Sequence, residues 1–125
     1  MGISLTTTLL LFFAIIGNAA ANILIKSGAN KIGAMDNLGH FALKAITSPA
    51  IIAGCLLFAV VLAAYSAVLT KVPLSIAYPL MTSLGFLIVV SASVTLFRET
   101  IYPGQIFGMV LILIGLWLVA RQLAA

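Results

Sequence analysis

Charge is what this sequence has least of. Only 6% of its 125 residues are Asp, Glu, Lys or Arg, and 64% are hydrophobic, whereas a soluble domain carries about 25% charged residues. That balance excludes a water-soluble fold and makes bilayer lipid the main solvent. Acids are scarcer still: Asp36 and Glu99 are the two, and neither lies inside an apolar run. A carboxylate-based proton exchanger needs a titratable group near mid-membrane, and no span offers one. There is one cysteine, Cys55, so no intrachain disulfide can form; within its apolar run it reads as a small buried hydrophobe. No metal-ligand cluster, nucleophile–base pair or glycine-rich phosphate loop is present, so neither enzyme, metal nor cofactor is expected. His40, the single histidine, falls in a loop and reads as a solvated surface residue.

What is present is apolar length. Uncharged stretches run over 2–25, 45–70, 72–97 and 100–120. Each is long enough for the roughly 20 residues that cross the hydrocarbon layer as a helix, and none is long enough to cross twice. Spanning strands would need period-2 alternation, which is missing, and four strands cannot close a barrel. The sequence therefore predicts an all-α protein, one domain over 1–125, with transmembrane helices at about 3–27, 49–70, 73–97 and 103–121. The first stretch lacks a basic leader and is too long for a signal peptide, so it is expected to be the first span.

The connections differ in length. Residues 28–48 join spans one and two and are rich in Gly, Asn and Asp; within them His40–Ile46 is expected to form one or two turns on the membrane surface. Pro49, Pro73 and Pro103 suit helix starts. The short later loops predict that spans two, three and four are antiparallel neighbours. The net charge of +4 does not point to nucleic acid, because the basic residues are spread over the ends of the apolar runs as headgroup anchors. Lys26, Lys31, Lys44 and Arg98 fall on one side and Lys71 and Arg121 on the other. This small excess favours the first side as cytoplasmic and leaves both orientations open.

Three patterns carry candidate chemistry. Asn18, Asn22 and Lys26 stand at i, i+4 and i+8 on one stripe of the first helix. Amides there are costly to expose to lipid, so they either bond other helices or line a cavity for a polar headgroup, with Lys26 as a snorkelling anchor or a phosphate-attracting charge at its mouth. Ser75, Tyr78 and Thr82 share a face of the third helix. Pro79 beside them leaves the Ser75 carbonyl without its helical donor, which implies a packing kink or a cavity wall. Tyr65 can add a hydroxyl from the second helix. In the fourth helix Gly104 and Gly108 form a GxxxG spacing, and Gly115 follows seven residues on; such a stripe suits close helix contact, within the subunit or between subunits.

Val72-Pro73-Leu74-Ser75-Ile76-Ala77-Tyr78-Pro79, Phe97-Arg98-Glu99-Thr100 with Gly108 and Gly115, and Leu24-Ile25-Lys26 together resemble the small multidrug resistance transporters and the four-helix, EamA-like members of the drug/metabolite transporter superfamily. The similarity runs over most of the chain. Multidrug members carry a glutamate eight residues before the lysine; here that position is Asn18, so the proton-exchange site does not carry over. The Tyr78-Pro79 pair without a membrane glutamate is most similar to the subunits proposed to flip undecaprenyl-phosphate-linked aminoarabinose. The resemblance implies a multi-pass protein of the bacterial inner membrane, with Tyr78 as a cavity tyrosine and Gly108 and Gly115 as dimer glycines. The expected function is translocation of a lipid-linked sugar or similar amphiphile by a homodimer, or by a heterodimer with a related subunit. Membrane lipids are its surroundings, and Asn18, Asn22, Lys26, Tyr65, Ser75, Tyr78 and Thr82 contact the substrate. Export of small cations or metabolites, and a non-transporting accessory subunit, are the alternatives.

Overall fold

A computed structural model describes residues 4–123. The helices are α1 (Leu5–Ile32), α2 (Leu38–Thr47), α3 (Pro49–Leu69), α4 (Leu74–Leu96) and α5 (Pro103–Ala120), followed by a 3-10 turn at Arg121–Leu123. Four of them, α1, α3, α4 and α5, are long and apolar enough to cross a membrane, as the apolar runs predict. The start expected for the first span, at residue 3, lies outside the described residues. Side chains set the helix starts. Ser4 Oγ accepts from the Thr7 N–H at 3.2 Å, and Asn37 Oδ1 accepts from the His40 N–H at 3.2 Å. Ser48 Oγ accepts from the Ile51 N–H at 3.4 Å just ahead of Pro49. Each satisfies one of the donors that a helix leaves free at its start.

The first helix ends five residues later than its expected end at residue 27. Gly28 does not stop it, because this glycine is buried against the start of α3. A Cβ there would lie 3.1 Å from the Ile51 backbone nitrogen. The stop is Gly33, at φ 89° and ψ −157°, a backbone region open essentially to glycine alone. At 28 residues α1 is about 42 Å long, so its last turns extend past the hydrocarbon layer. The chain then turns into α2, a longer surface helix than the one or two turns expected.

Helix α1 is the centre of the bundle. It packs extensively on α3 and, on another side, on α4; α5 rests on α4. Although joined by a tight turn, α3 and α4 share little contact. The expectation that all three later spans pack as neighbours therefore fails for this pair: small residues on α1 let it pack deeply between them. Lipid tails are as apolar as the helices, so packing here depends on close van der Waals fit rather than on hydrophobic expulsion. At Gly54 of α3 a Cβ would come within 3.0 Å of the Ala21 carbonyl oxygen on α1, and backbone cannot move aside as a side chain can. Val61, Ala64, Tyr65 and Val68 continue that buried stripe of α3. Ala77, Leu80 and Gly85 are buried on α4, but only Leu116 on α5.

Cys55, expected to be buried, is exposed on α3, on the outer surface of the helix, where an apolar thiol is compatible with lipid. At the far end of α5 the Arg121 guanidinium lies 5.1 Å from the Trp117 ring centroid, a cation–π pair of the kind that anchors helix ends at the interface.

Candidate functional site: the cleft between α3 and α4

Because α3 and α4 diverge, a cleft opens between them with α1 as its floor. Two cavities lie along it and Tyr65 lines both. One, of about 250 Å³, is bounded by Asn18 of α1, by Phe58, Val61 and Leu62 of α3, and by Met81 of α4. The other, of about 550 Å³, is bounded by Leu74, Ser75, Tyr78 and Pro79 of α4. Tyr65 is only 9% exposed, and its hydroxyl is buried without a hydrogen-bond partner among the described residues. Leaving such a group unsatisfied costs about 1–3 kcal/mol.

The sequence-predicted residues divide at this cleft. Asn18, Tyr65, Ser75 and Tyr78 line it. Asn18 fits because Gly85 faces it: a Cβ on Gly85 would lie 3.2 Å from Asn18 Nδ2. Ser75 stands on the cavity wall beside Pro79. Asn22 lines neither cavity. It is exposed, and its Nδ2 donates to the Asn18 carbonyl oxygen at 2.9 Å, so part of its polarity is satisfied within α1. The Thr82 hydroxyl likewise donates to the Tyr78 carbonyl oxygen at 2.8 Å.

Lys26 is not at the cleft either. Its Nζ lies 3.5 Å from Glu99 Oε1, with both side chains about half exposed. The pair joins the end of α1 to the α4–α5 junction and brings Lys26 and Glu99 to the same membrane face. An exposed pair of this kind is worth at most about 1 kcal/mol.

Residues that sequence reasoning did not single out complete the cleft. Phe58, Val61, Leu62 and Met81 are ordinary apolar residues in apolar helices and carry no signal of their own. Gly85 was legible only as a small residue on the α4 face. Among the described residues no three His, Cys, Asp or Glu side chains gather as a metal site. The glycines of α5 are placed differently: nothing lies within 4 Å of where a Cβ would stand on Gly104, Gly108 or Gly115.

Two known proteins are similar to this chain in sequence. Over 76 residues the chain is 38% identical to the probable 4-amino-4-deoxy-L-arabinose-phosphoundecaprenol flippase subunit ArnF of Aeromonas hydrophila. That match covers 60% of this chain and 52% of the relative, so the chain spans about half the length of that flippase subunit. A second relative, the uncharacterized protein y4nH of Sinorhizobium fredii, is 26% identical over 113 residues, covering 90% of this chain and 93% of its own length. No family model matches the chain, and no solved structure matches it. The four apolar helices and the similarity to a flippase subunit support a multi-pass protein of the bacterial inner membrane.

Proposed function

We propose that this chain is a transporter rather than an enzyme, and that it moves an amphiphile with a polar headgroup across the inner membrane. The cargo class is a lipid-linked sugar of the undecaprenyl-phosphate type. The observation that carries this reading is the buried, unpartnered Tyr65 hydroxyl between two cavities in a cleft that holds no carboxylate. Such a cleft can bind a polar headgroup by hydrogen bonds from Tyr65, Asn18, Ser75 and Tyr78 and has no mid-membrane acid to exchange a proton. Asn22, Lys26 and Thr82 flank the route. The divergence of α3 and α4 supports a tail that remains in lipid while the headgroup moves along the cleft.

Four helices enclose little space, so two subunits build the full path. The open glycine face of α5 supports a homodimer, or a heterodimer with a related subunit, held there. Alternating access then follows from one subunit rocking against the other. The flippase subunit with which the chain shares 38% identity is named for a phosphoundecaprenol-linked amino sugar, which supports that cargo class.

The test is headgroup translocation in vesicles containing undecaprenyl-phosphate-linked aminoarabinose. Asn18→Leu should abolish translocation while the protein still inserts and assembles, and wild-type transport should not require a proton gradient. Unchanged movement in Asn18→Leu rejects the cleft as the route. The unpacked face of α5 also favours a second reading, an accessory subunit seated on a membrane partner. Cargo movement by the purified chain alone excludes it.

A further inference from the structure

The surface helix α2 divides its residues by side. Asn37, His40 and Lys44 stand at i, i+3 and i+7 on one face, and Leu38, Ala42 and Ala45 stand at i, i+4 and i+7 on the opposite one. On the polar side, a cavity of about 230 Å³ lies between α2 and the end of α1, lined by Ile32, Ala34, Asp36, Asn37, His40, Phe41 and Lys44. On the apolar side, a groove of about 330 Å³ runs between α2 and α3, lined by Ala45, Ile46, Ile51, Ile52, Cys55 and Leu56. Lys44 and Ala45 are consecutive, so a single helix separates a charged pocket from an apolar groove. Leu38, Leu43 and Ile46 are all exposed, which places α2 at the boundary between headgroups and acyl chains. The cleft mechanism uses none of these residues.

We propose that this elbow is a binding site for a membrane phospholipid whose headgroup carries both a phosphate and a primary amine. The polar pocket holds one ammonium, Lys44, and one carboxylate, Asp36. A phosphate alone would leave Asp36 facing like charge, and an amine alone would do the same to Lys44. A zwitterionic amino-phosphate pairs with both, and charge-assisted hydrogen bonds make that pairing directional. An imidazole N–H of His40 adds a donor for a phosphate oxygen. The exposed Leu38, Leu43 and Ile46 hold the pocket at the level of the lipid headgroups, which favours a lipid over a free amino-phosphate. Lys31, exposed in the last turn of α1, adds positive charge at the same surface. This site stands apart from the cleft, and its occupancy is measured without any transport step.

Native mass spectrometry of the full chain in detergent micelles, titrated with phosphatidylethanolamine, phosphatidylglycerol and phosphatidylcholine, tests the inference. Phosphatidylethanolamine should bind about fivefold more tightly than phosphatidylglycerol, the size expected for one exposed charge pair, and more tightly than phosphatidylcholine, whose quaternary ammonium keeps the charge but has no N–H to donate. Asp36→Asn should remove that preference, weakening phosphatidylethanolamine and strengthening phosphatidylglycerol, while Lys44→Ala should weaken both lipids about fivefold. Both residues are exposed, and melting curves in the same detergent confirm that each variant remains folded. Free phosphoethanolamine at the lipid's own concentration should fail to displace it. Equal binding of the three lipids by the wild type, or unchanged preference in Asp36→Asn, overturns the site. Full displacement by free phosphoethanolamine overturns the lipid as its occupant.

Discussion

The α1–α3 seam and the outer face of α5 both carry glycines, yet the structure uses them in opposite ways. At the seam the glycines are consumed: Gly54 sits where any Cβ would press on the Ala21 carbonyl of α1, and Gly28 meets the backbone of α3 in the same manner. On α5 the stripe of Gly104, Gly108 and Gly115 faces open space. One set joins two helices of a single subunit, and the other remains free to join subunits. Small-residue spacing in a membrane helix therefore marks a surface able to approach another closely; which surface it meets depends on the tertiary arrangement. The sequence patterns of Gly108 and Gly54 do not reveal that difference.

The same substitution made in both places separates the two roles. Gly54→Leu forces a side chain into the α1 backbone and should destabilise the bundle by about 3 kcal/mol, the upper end of ordinary overpacking costs, seen as a lowered unfolding midpoint in detergent. Gly108→Leu should shift that midpoint by less than about 0.5 kcal/mol, as a surface change does, while abolishing cross-linked dimers in vesicles. A dimer that survives Gly108→Leu would move the subunit contact off α5 and remove the contrast.

Smaller effects sharpen the picture at the surface end of the seam. Gly33→Val places a β-branched residue at φ 89° and ψ −157° and should cost about 1–3 kcal/mol. Amide hydrogen exchange should show the loss as faster exchange in α2, with α3 unaffected. A smaller effect again belongs to the ion pair that ties α1 to the α4–α5 junction. Glu99→Gln should lower stability by at most about 1 kcal/mol, and the difference from wild type should vanish at about 1 M salt, where exposed charges are screened within a few ångströms.

The span count, the surface helix and most helix ends were legible in the sequence, because uncharged runs of membrane length and proline or small polar caps act locally. The end of α1 was not. Gly28 looks like a stop signal, and only its burial against Ile51 shows why the helix continues to Gly33. The order of packing was also hidden. A short loop between α3 and α4 suggests neighbours, whereas the depth to which α1 inserts depends on small residues from two distant segments at once. At the cleft, Asn18, Ser75 and Tyr78 stood out as polar groups in apolar surroundings. Tyr65 carried a weaker signal, and its significance comes from burial without a partner. Asn22 and Lys26 shared a stripe with Asn18 on a helical wheel, but the first bonds its own helix and the second pairs with Glu99.

The Tyr65→Phe variant, followed for melting and for headgroup translocation in the same vesicles, tests the central idea most directly. Removing a hydroxyl that has no partner should leave stability equal to wild type or raise it by about 1 kcal/mol, while translocation falls at least tenfold because the cleft loses the donor that receives the headgroup. Loss of stability would show that the hydroxyl is already satisfied within the bundle. Transport at the wild-type rate would contradict the account, leaving the cleft without a hydrogen-bonding role in moving the cargo.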